Sequence, residues 1–222
     1  MLRRLLPYIY CCWIILASFV TAAAQEPSEP EIQSWNDLQI TYPVSRTVDL
    51  FTVTTIQFGE RLTTVDNTRF AVGVNKKLTN NLSVASFVTF LSDRNSSGRF
   101  RYEYRYSARA VIKSKVKGLG ISHRSQAEYR FRPGRNTWRY RPSITIEKEL
   151  PEDFVRGMKL FVTEEPFYDS ASGRFSRNRI SAGFKKEVNR RFSFDVYYLY
   201  QGDNFSRSSS TKVIGTSWKV TL

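Results

Sequence analysis

The sequence predicts an all-β protein, a transmembrane antiparallel up-and-down β-barrel of 10 to 12 strands, and three observations predict it. Apolar and polar residues alternate at period two along most of the chain after residue 24, and clusters of Gly, Asn, Ser, Pro and Asp interrupt the alternation at short intervals. The polar phase is dense in Arg and Glu. The apolar phase is rich in aromatic side chains, drawn from 16 Phe, 12 Tyr and 4 Trp in 222 residues. A soluble sandwich or lipocalin-like barrel also alternates, with its apolar face inward. Aromatic rings near strand ends and charged residues on consecutive strands favour a membrane barrel with a wet lumen. The length fits one domain.

The first 24 residues read as an export signal. Arg3 and Arg4 form its basic start, Tyr8 to Val20 is almost purely apolar, and Ala22, Ala23 and Ala24 supply the small residues that a signal peptidase accepts before Gln25. Residues 25–34 are expected to be a short linker and residues 35–222 the barrel. Both cysteines, Cys11 and Cys12, lie in the signal, which leaves the exported chain without a disulfide or a thiolate metal site. His123 is the one histidine, and no phosphate-binding glycine loop appears. No metal, cofactor or catalytic residue is therefore assigned. The formal net charge of +14 is spread over many segments of an exported chain, which argues against nucleic acid as a partner.

Taken in order, the strands begin with Trp35 to Tyr42, followed by Leu82 to Leu91 and its N-terminal neighbours. The clearest is Arg99 to Lys113, where Phe100, Tyr102, Tyr104 and Tyr106 share one face and Arg101, Glu103, Arg105 and Arg109 the other. Leu119 to Arg132 repeats the pattern, as do Trp138 to Glu147, Met158 to Val162, Arg177 to Lys185, Phe192 to Tyr200 and Thr216 to Leu222. Tight connections at Lys77 to Asn81, Lys113 to Lys117 and Val188 to Arg191 alternate with longer ones, as between periplasmic turns and external loops. Leu150 to Gly157 is the exception, long where a tight turn belongs. Eleven strands can be counted. Because single-chain bacterial barrels use even numbers, either Trp35 to Tyr42 is not in the wall or a twelfth strand lies near the N-terminus.

The alternation places Arg101, Glu103, Arg105 and Arg109 in the lumen, with Arg124, Glu128, Arg130, Arg139, Arg141, Glu147, Arg177 and Arg179. Two readings follow. These arginines attract small anionic solutes into a narrow, porin-like channel, or the acids, with Glu165 and Asp195, pair with them and fill a structural surface barrel. Arg94, Arg99, Arg135 and Arg174 are rim candidates for lipopolysaccharide. Gly215, Trp218, Val220 and Leu222 look like the C-terminal signal read by the barrel-assembly machinery. Glu164 and Glu165 point to opposite faces and, with Pro166, mark a strand end.

The stretch HRSQAEYRFR (His123 to Arg132), followed by WRYRPSI (Trp138 to Ile144), together with the export signal, the Trp35 strand and the final strands, resembles an uncharacterised bacterial family known as a domain of unknown function. The resemblance covers most of the chain after the signal. It implies a barrel in the outer membrane of a Gram-negative cell envelope, among outer-membrane lipids, and implies no activity. Separately, His123, Ser125 and the later Asn136 resemble the arrangement of outer-membrane phospholipase A. That resemblance implies a lipid hydrolase on the outer face, although Gln126 and Ala127 depart from the pattern. The reading is non-enzymatic, with this hydrolase and a soluble periplasmic binding barrel as alternatives.

Overall fold

A computed structural model describes residues 31–59, 62–95, 97–203 and 210–222. The expected signal peptide lies outside these. The described residues form one closed barrel of eleven strands: β1 (Glu31–Pro43), β2 (Val48–Gly59), β3 (Thr64–Lys77), β4 (Leu82–Arg94), β5 (Phe100–Val116), β6 (Leu119–Phe131), β7 (Thr137–Glu149), β8 (Met158–Asp169), β9 (Arg174–Glu187), β10 (Phe192–Asp203) and β11 (Ser210–Thr221). Every strand exceeds the roughly 9 to 11 residues that a tilted strand needs to cross a bilayer. Each pairs antiparallel with the next, and β1 closes on β11 in parallel, with Trp35 opposite Gly215 and Gln39 opposite Lys219.

The parallel seam follows from the count, because an odd number of strands that reverse at every turn must bring its first and last together in the same direction. The expectation of an even number is thereby corrected. Trp35 to Tyr42 is in the wall, hydrogen-bonded on both sides, and no twelfth strand exists among the described residues. The wall also begins earlier than expected, since residues 31–34 of the anticipated linker already belong to β1.

Alternation decides which side of the wall is wet. On β5, Glu103, Arg105 and Ser107 are buried, whereas Tyr102, Tyr104 and Tyr106 are 67%, 52% and 51% exposed. The same inversion holds around the barrel, with Leu38, Val72, Phe90, Ile146 and Val162 exposed on the outside. A soluble barrel requires the opposite polarity, so that alternative falls. The outer surface is the apolar band of a transmembrane barrel. Aromatic rings mark its two edges. Phe192 stacks on Trp218 (5.9 Å) at one end, and Trp138 stacks on Tyr168 (5.2 Å) at the other.

Turn chemistry sets the ends. Three turns share the pattern aliphatic, Ser/Thr/Asn, two polar residues, apolar: Val44 to Val48, Leu78 to Leu82 and Val188 to Phe192. In each, the second residue's side-chain oxygen accepts a backbone N–H three residues on: Ser45 from Val48 (3.0 Å), Thr79 from Leu82 (3.0 Å) and Asn189 from Phe192 (2.9 Å). The β5–β6 turn is tighter, with Lys117 and Gly118 both at positive φ (49° and 77°), as a two-residue hairpin requires. β5 accordingly runs to Val116, through residues expected to be turn. The contrast in loop length shrinks for the same reason. The β7–β8 connection, at the short-turn end, is longer because it holds one helical turn, α1 (Glu152–Val155).

Glu164, Glu165 and Pro166 lie inside β8 rather than at its end. Pro166 is tolerated because the β7–β8 ladder is interrupted there: pairing passes from Tyr140–Tyr168 to Ile144–Glu164, leaving Pro142 and Pro166 in the gap. Two apolar clusters narrow the lumen, Trp35 with Leu199 and Val213 beside Tyr197, and Phe51 with Ala71 and Phe87.

Candidate functional site: an arginine-lined vestibule

A cavity of about 800 Å³ occupies the lumen at the end opposite the short turns. Its lining holds nine arginines (Arg69, Arg101, Arg105, Arg130, Arg132, Arg139, Arg141, Arg177 and Arg179) against three carboxylates (Asp93, Glu103 and Asp203). Period-two alternation on β3, β5, β6, β7 and β9 projects eight of them inward, and Arg132 follows directly on the end of β6.

One wall, β5 to β8, is an ion-pair lattice. Glu103 accepts from Arg105 (2.5 Å), Arg130 (2.6 Å) and Arg132 (2.7 Å). Asp169 holds Arg139 (2.8 Å) and Arg130 (3.3 Å). Arg141 bridges Glu128 (2.7 Å) and Glu165 (2.8 Å), and Glu165 also pairs with Arg124. Two of these pairs, Arg124 with Glu165 and Arg130 with Asp169, skip a strand, so they tie the wall together across its curvature. They also stitch the β7–β8 gap, where Arg141 and Glu165 meet by side chain in place of backbone.

The facing wall, β9 through β11 and β1 to β3, holds its arginines differently. Arg69 donates to Asn67 (2.7 Å) and Gln57 (3.2 Å), and Arg179 donates to Gln201 (2.7 Å) while lying 4.5 Å over the Trp35 ring. Arg177 pairs with Asp203. Among the described residues, Arg69 and Arg101 form no ion pair.

Phe167, two residues from the vestibule end of β8 and only 1% exposed, is packed among these arginines, with the guanidinium groups of Arg141 and Arg179 at 4.5 and 4.7 Å from its ring and those of Arg139 and Arg177 at 5.6 and 5.7 Å. A cation over an aromatic face is electrostatically favoured, so one ring gathers four charges. Below it lysine replaces arginine. Glu147 pairs with Lys185 (3.0 Å) and Asp195 with Lys219 (2.9 Å). A second cavity of about 470 Å³ at the short-turn mouth shares no lining residue with the vestibule.

Of the twelve residues expected in the lumen, Arg101, Glu103, Arg105, Arg130, Arg139, Arg141, Arg177 and Arg179 lie in the vestibule lining, and Glu128 lies behind it, paired with Arg141. Arg101 is exposed at the vestibule, Arg109 and Arg124 lie outside its lining, and Glu147 is in the lysine half. Sequence reasoning missed Arg69, Trp35, Phe167 and the carboxamides, although the inward phase of β3 (Asn67, Arg69, Ala71) was readable. Arg94, Arg99, Arg135 and Arg174 all sit at the vestibule end.

Gly215 does not share a face with Trp218, Val220 and Leu222. It points inward, where a Cβ would overlap the Tyr197 ring, so its own requirement is close approach. His123 and Ser125 do meet on the lipid-facing side, with Nε2 3.0 Å from Oγ, and Tyr140 Oη lies 3.0 Å from the same Oγ. Asn136 is at the other end of β6, about 20 Å away at strand rise, so the phospholipase arrangement is not assembled. Among the described residues no group of three or more His, Cys, Asp and Glu could hold a metal.

The family model described as "Protein of unknown function (DUF2490)" matches residues 32–211. Among solved structures, LpxR from Salmonella typhimurium has a TM-score of 0.54 at 8% identity, covering 83% of this chain and 87% of that one. The KdgM porin has a TM-score of 0.48 at 10% identity (86% and 95% covered), and the KdgM porin in complex with disordered oligogalacturonate 0.47 at 12% (85% and 98%). No curated protein matches the sequence. At such identity the likeness to LpxR is one of fold.

Proposed function

We propose that this chain, which belongs to the DUF2490 family of proteins of unknown function, resides in the outer membrane of a Gram-negative bacterium as a narrow, anion-selective barrel without enzymatic activity. The apolar outer band and the export-like N-terminal run support the location. The observation that carries the function is the excess of arginine at the vestibule, nine against the three carboxylates of its lining and the three more, Glu128, Glu165 and Asp169, that pair with them. A low-dielectric wall of one sign concentrates counter-ions of the other, and a lumen this arginine-rich favours anions over cations. The ion-pair lattice and the inward-facing rings of Trp35, Phe51 and Phe87 support the reading that the path is narrow. Lipopolysaccharide at the Arg94, Arg99, Arg135 and Arg174 rim, and recognition of the last strand by the assembly machinery, belong to the same reading.

The test is single-channel recording in a planar bilayer under a salt gradient. Small conductance steps with an anion-selective reversal potential are expected. Cation selectivity, or silence from barrel shown to be folded by its heat-modifiable gel mobility, would overturn the proposal.

A further inference from the structure

We infer that the β9-to-β3 wall of the vestibule is a binding site for a small oxyanion, a carboxylate or phosphate group, received by Arg69 and Arg179. The inference rests on the reading of the vestibule as an anion path and names the place within it where an anion stops.

The argument is the difference between the two walls. A guanidinium paired with a carboxylate is neutralised as well as oriented. One held by a carboxamide is oriented while its charge stays available to a ligand. On the β5-to-β8 wall Arg105, Arg124, Arg130, Arg132, Arg139 and Arg141 are held by carboxylates, whereas Arg109, outside the vestibule lining, is held by Gln126 and Arg101 is exposed at its edge. Across the lumen, Arg69 is held by the side-chain oxygens of Asn67 and Gln57 and Arg179 by that of Gln201. The nearest carboxylate oxygen to Arg179 is Glu165 Oε2 at 3.8 Å, and that group already serves Arg124 and Arg141. Asp37 lies in the field of both arginines, yet its carboxylate is hydrogen-bonded to Thr55 (2.5 Å) and forms no ion pair.

Geometry places the two charges together. Gln57 is the strand partner of Trp35. Arg179 covers the Trp35 ring and Arg69 donates to Gln57, so the arginines flank this pair from either side, facing the cavity. The held nitrogens are Nε of each arginine and Nη2 of Arg69, which leaves other N–H groups of the forks for an oxyanion that can accept several bonds at once. A chloride ion cannot exploit such a fork as an oxyanion does, so the site separates oxyanions from halide.

The test is isothermal titration of the full-length mature barrel, purified from membranes in detergent, with inorganic phosphate and with gluconate, each against a chloride background. Binding of either probe above chloride is expected, and which one binds separates phosphate from carboxylate recognition. Gln57→Glu and Gln201→Glu keep side-chain size and both arginines while converting a carboxamide-held guanidinium into a carboxylate-held one. Each is expected to weaken binding at least about tenfold with gel mobility unchanged. Absence of binding by both probes, or unchanged affinity in both folded variants, overturns the site. Anion-selective currents with no titratable binding would leave the channel reading standing and the site refuted. Titratable binding in a barrel that conducts nothing would do the reverse.

Discussion

Phe167 shows how a residue that alternation marks as misplaced becomes the ring on which four arginines converge. It is an apolar ring on the polar face, buried beneath four guanidinium groups. Phe167→Ala is expected to raise single-channel conductance several-fold and to lower stability by about 3–5 kcal/mol, the range for a buried Phe truncation. Bilayer recording and the temperature of the gel-mobility transition check the two effects. Glu165 is the opposite case, a single carboxylate beneath three arginines. Glu165→Gln removes the one group that Arg124 and Arg179 both face, leaving buried positive charge uncompensated. A loss of about 3–5 kcal/mol is expected, together with stronger anion selectivity, and urea unfolding in detergent measures the first. A stability within error of wild type would show that the lattice is redundant.

At the scale of the element, the seam is the feature without precedent elsewhere in the wall. β1 and β11 run parallel and are joined through the register Gln39–Lys219, inside a chain whose other neighbours are all antiparallel. Cysteine is absent from residues 25–222, so paired substitutions read this register directly. Gln39→Cys with Lys219→Cys is expected to form a disulfide under mild oxidation. Gln39→Cys with Thr211→Cys, far along the same strand pair, is expected to remain reduced, because a disulfide needs Cα atoms within roughly 7 Å. Non-reducing gels distinguish them, and the reverse result would mean that β1 does not close the barrel in parallel. The turns make a complementary point. Val44 to Val48, Leu78 to Leu82 and Val188 to Phe192 repeat one hydrogen-bonding scheme, and what they share is a set of residue types at fixed spacing, which is a local property of the chain.

The molecule as a whole is a tube with two electrostatic halves, arginine at the vestibule and lysine at the short-turn mouth. Its selectivity is therefore a field effect, and fields are screened. The Debye length falls from about 10 Å at 0.1 M salt to about 3 Å at 1 M. The anion preference measured by reversal potential is expected to be larger at mean salt near 0.1 M than near 1 M, while conductance rises. A preference independent of ionic strength would point to a steric filter at Phe167 in place of charge. The apolar outer band likewise predicts that the protein leaves membranes only with detergent, checked by comparing carbonate and detergent extraction.

Much of this was legible in the sequence because the side-chain period of a strand is two. Phe100, Tyr102, Tyr104 and Tyr106 had to share a face opposite Arg101, Glu103 and Arg105, and the expectation of twelve lumen residues rests on that period alone. What alternation cannot carry is anything that depends on distance across the tube. It could not choose between ten, eleven and twelve strands, since closure is a property of the first and last strands together. It could not show that Gly215 faces Tyr197 while Trp218 faces lipid, or that Pro166 sits opposite a gap in the ladder. Nor could it tell an arginine held by Glu103 from one held by Gln57. The barrel and the polarity of its wall could be read along the chain, because both are local periodicities. Which arginines face a carboxylate and which a carboxamide emerges only on folding, because the partners come from strands far apart in the chain.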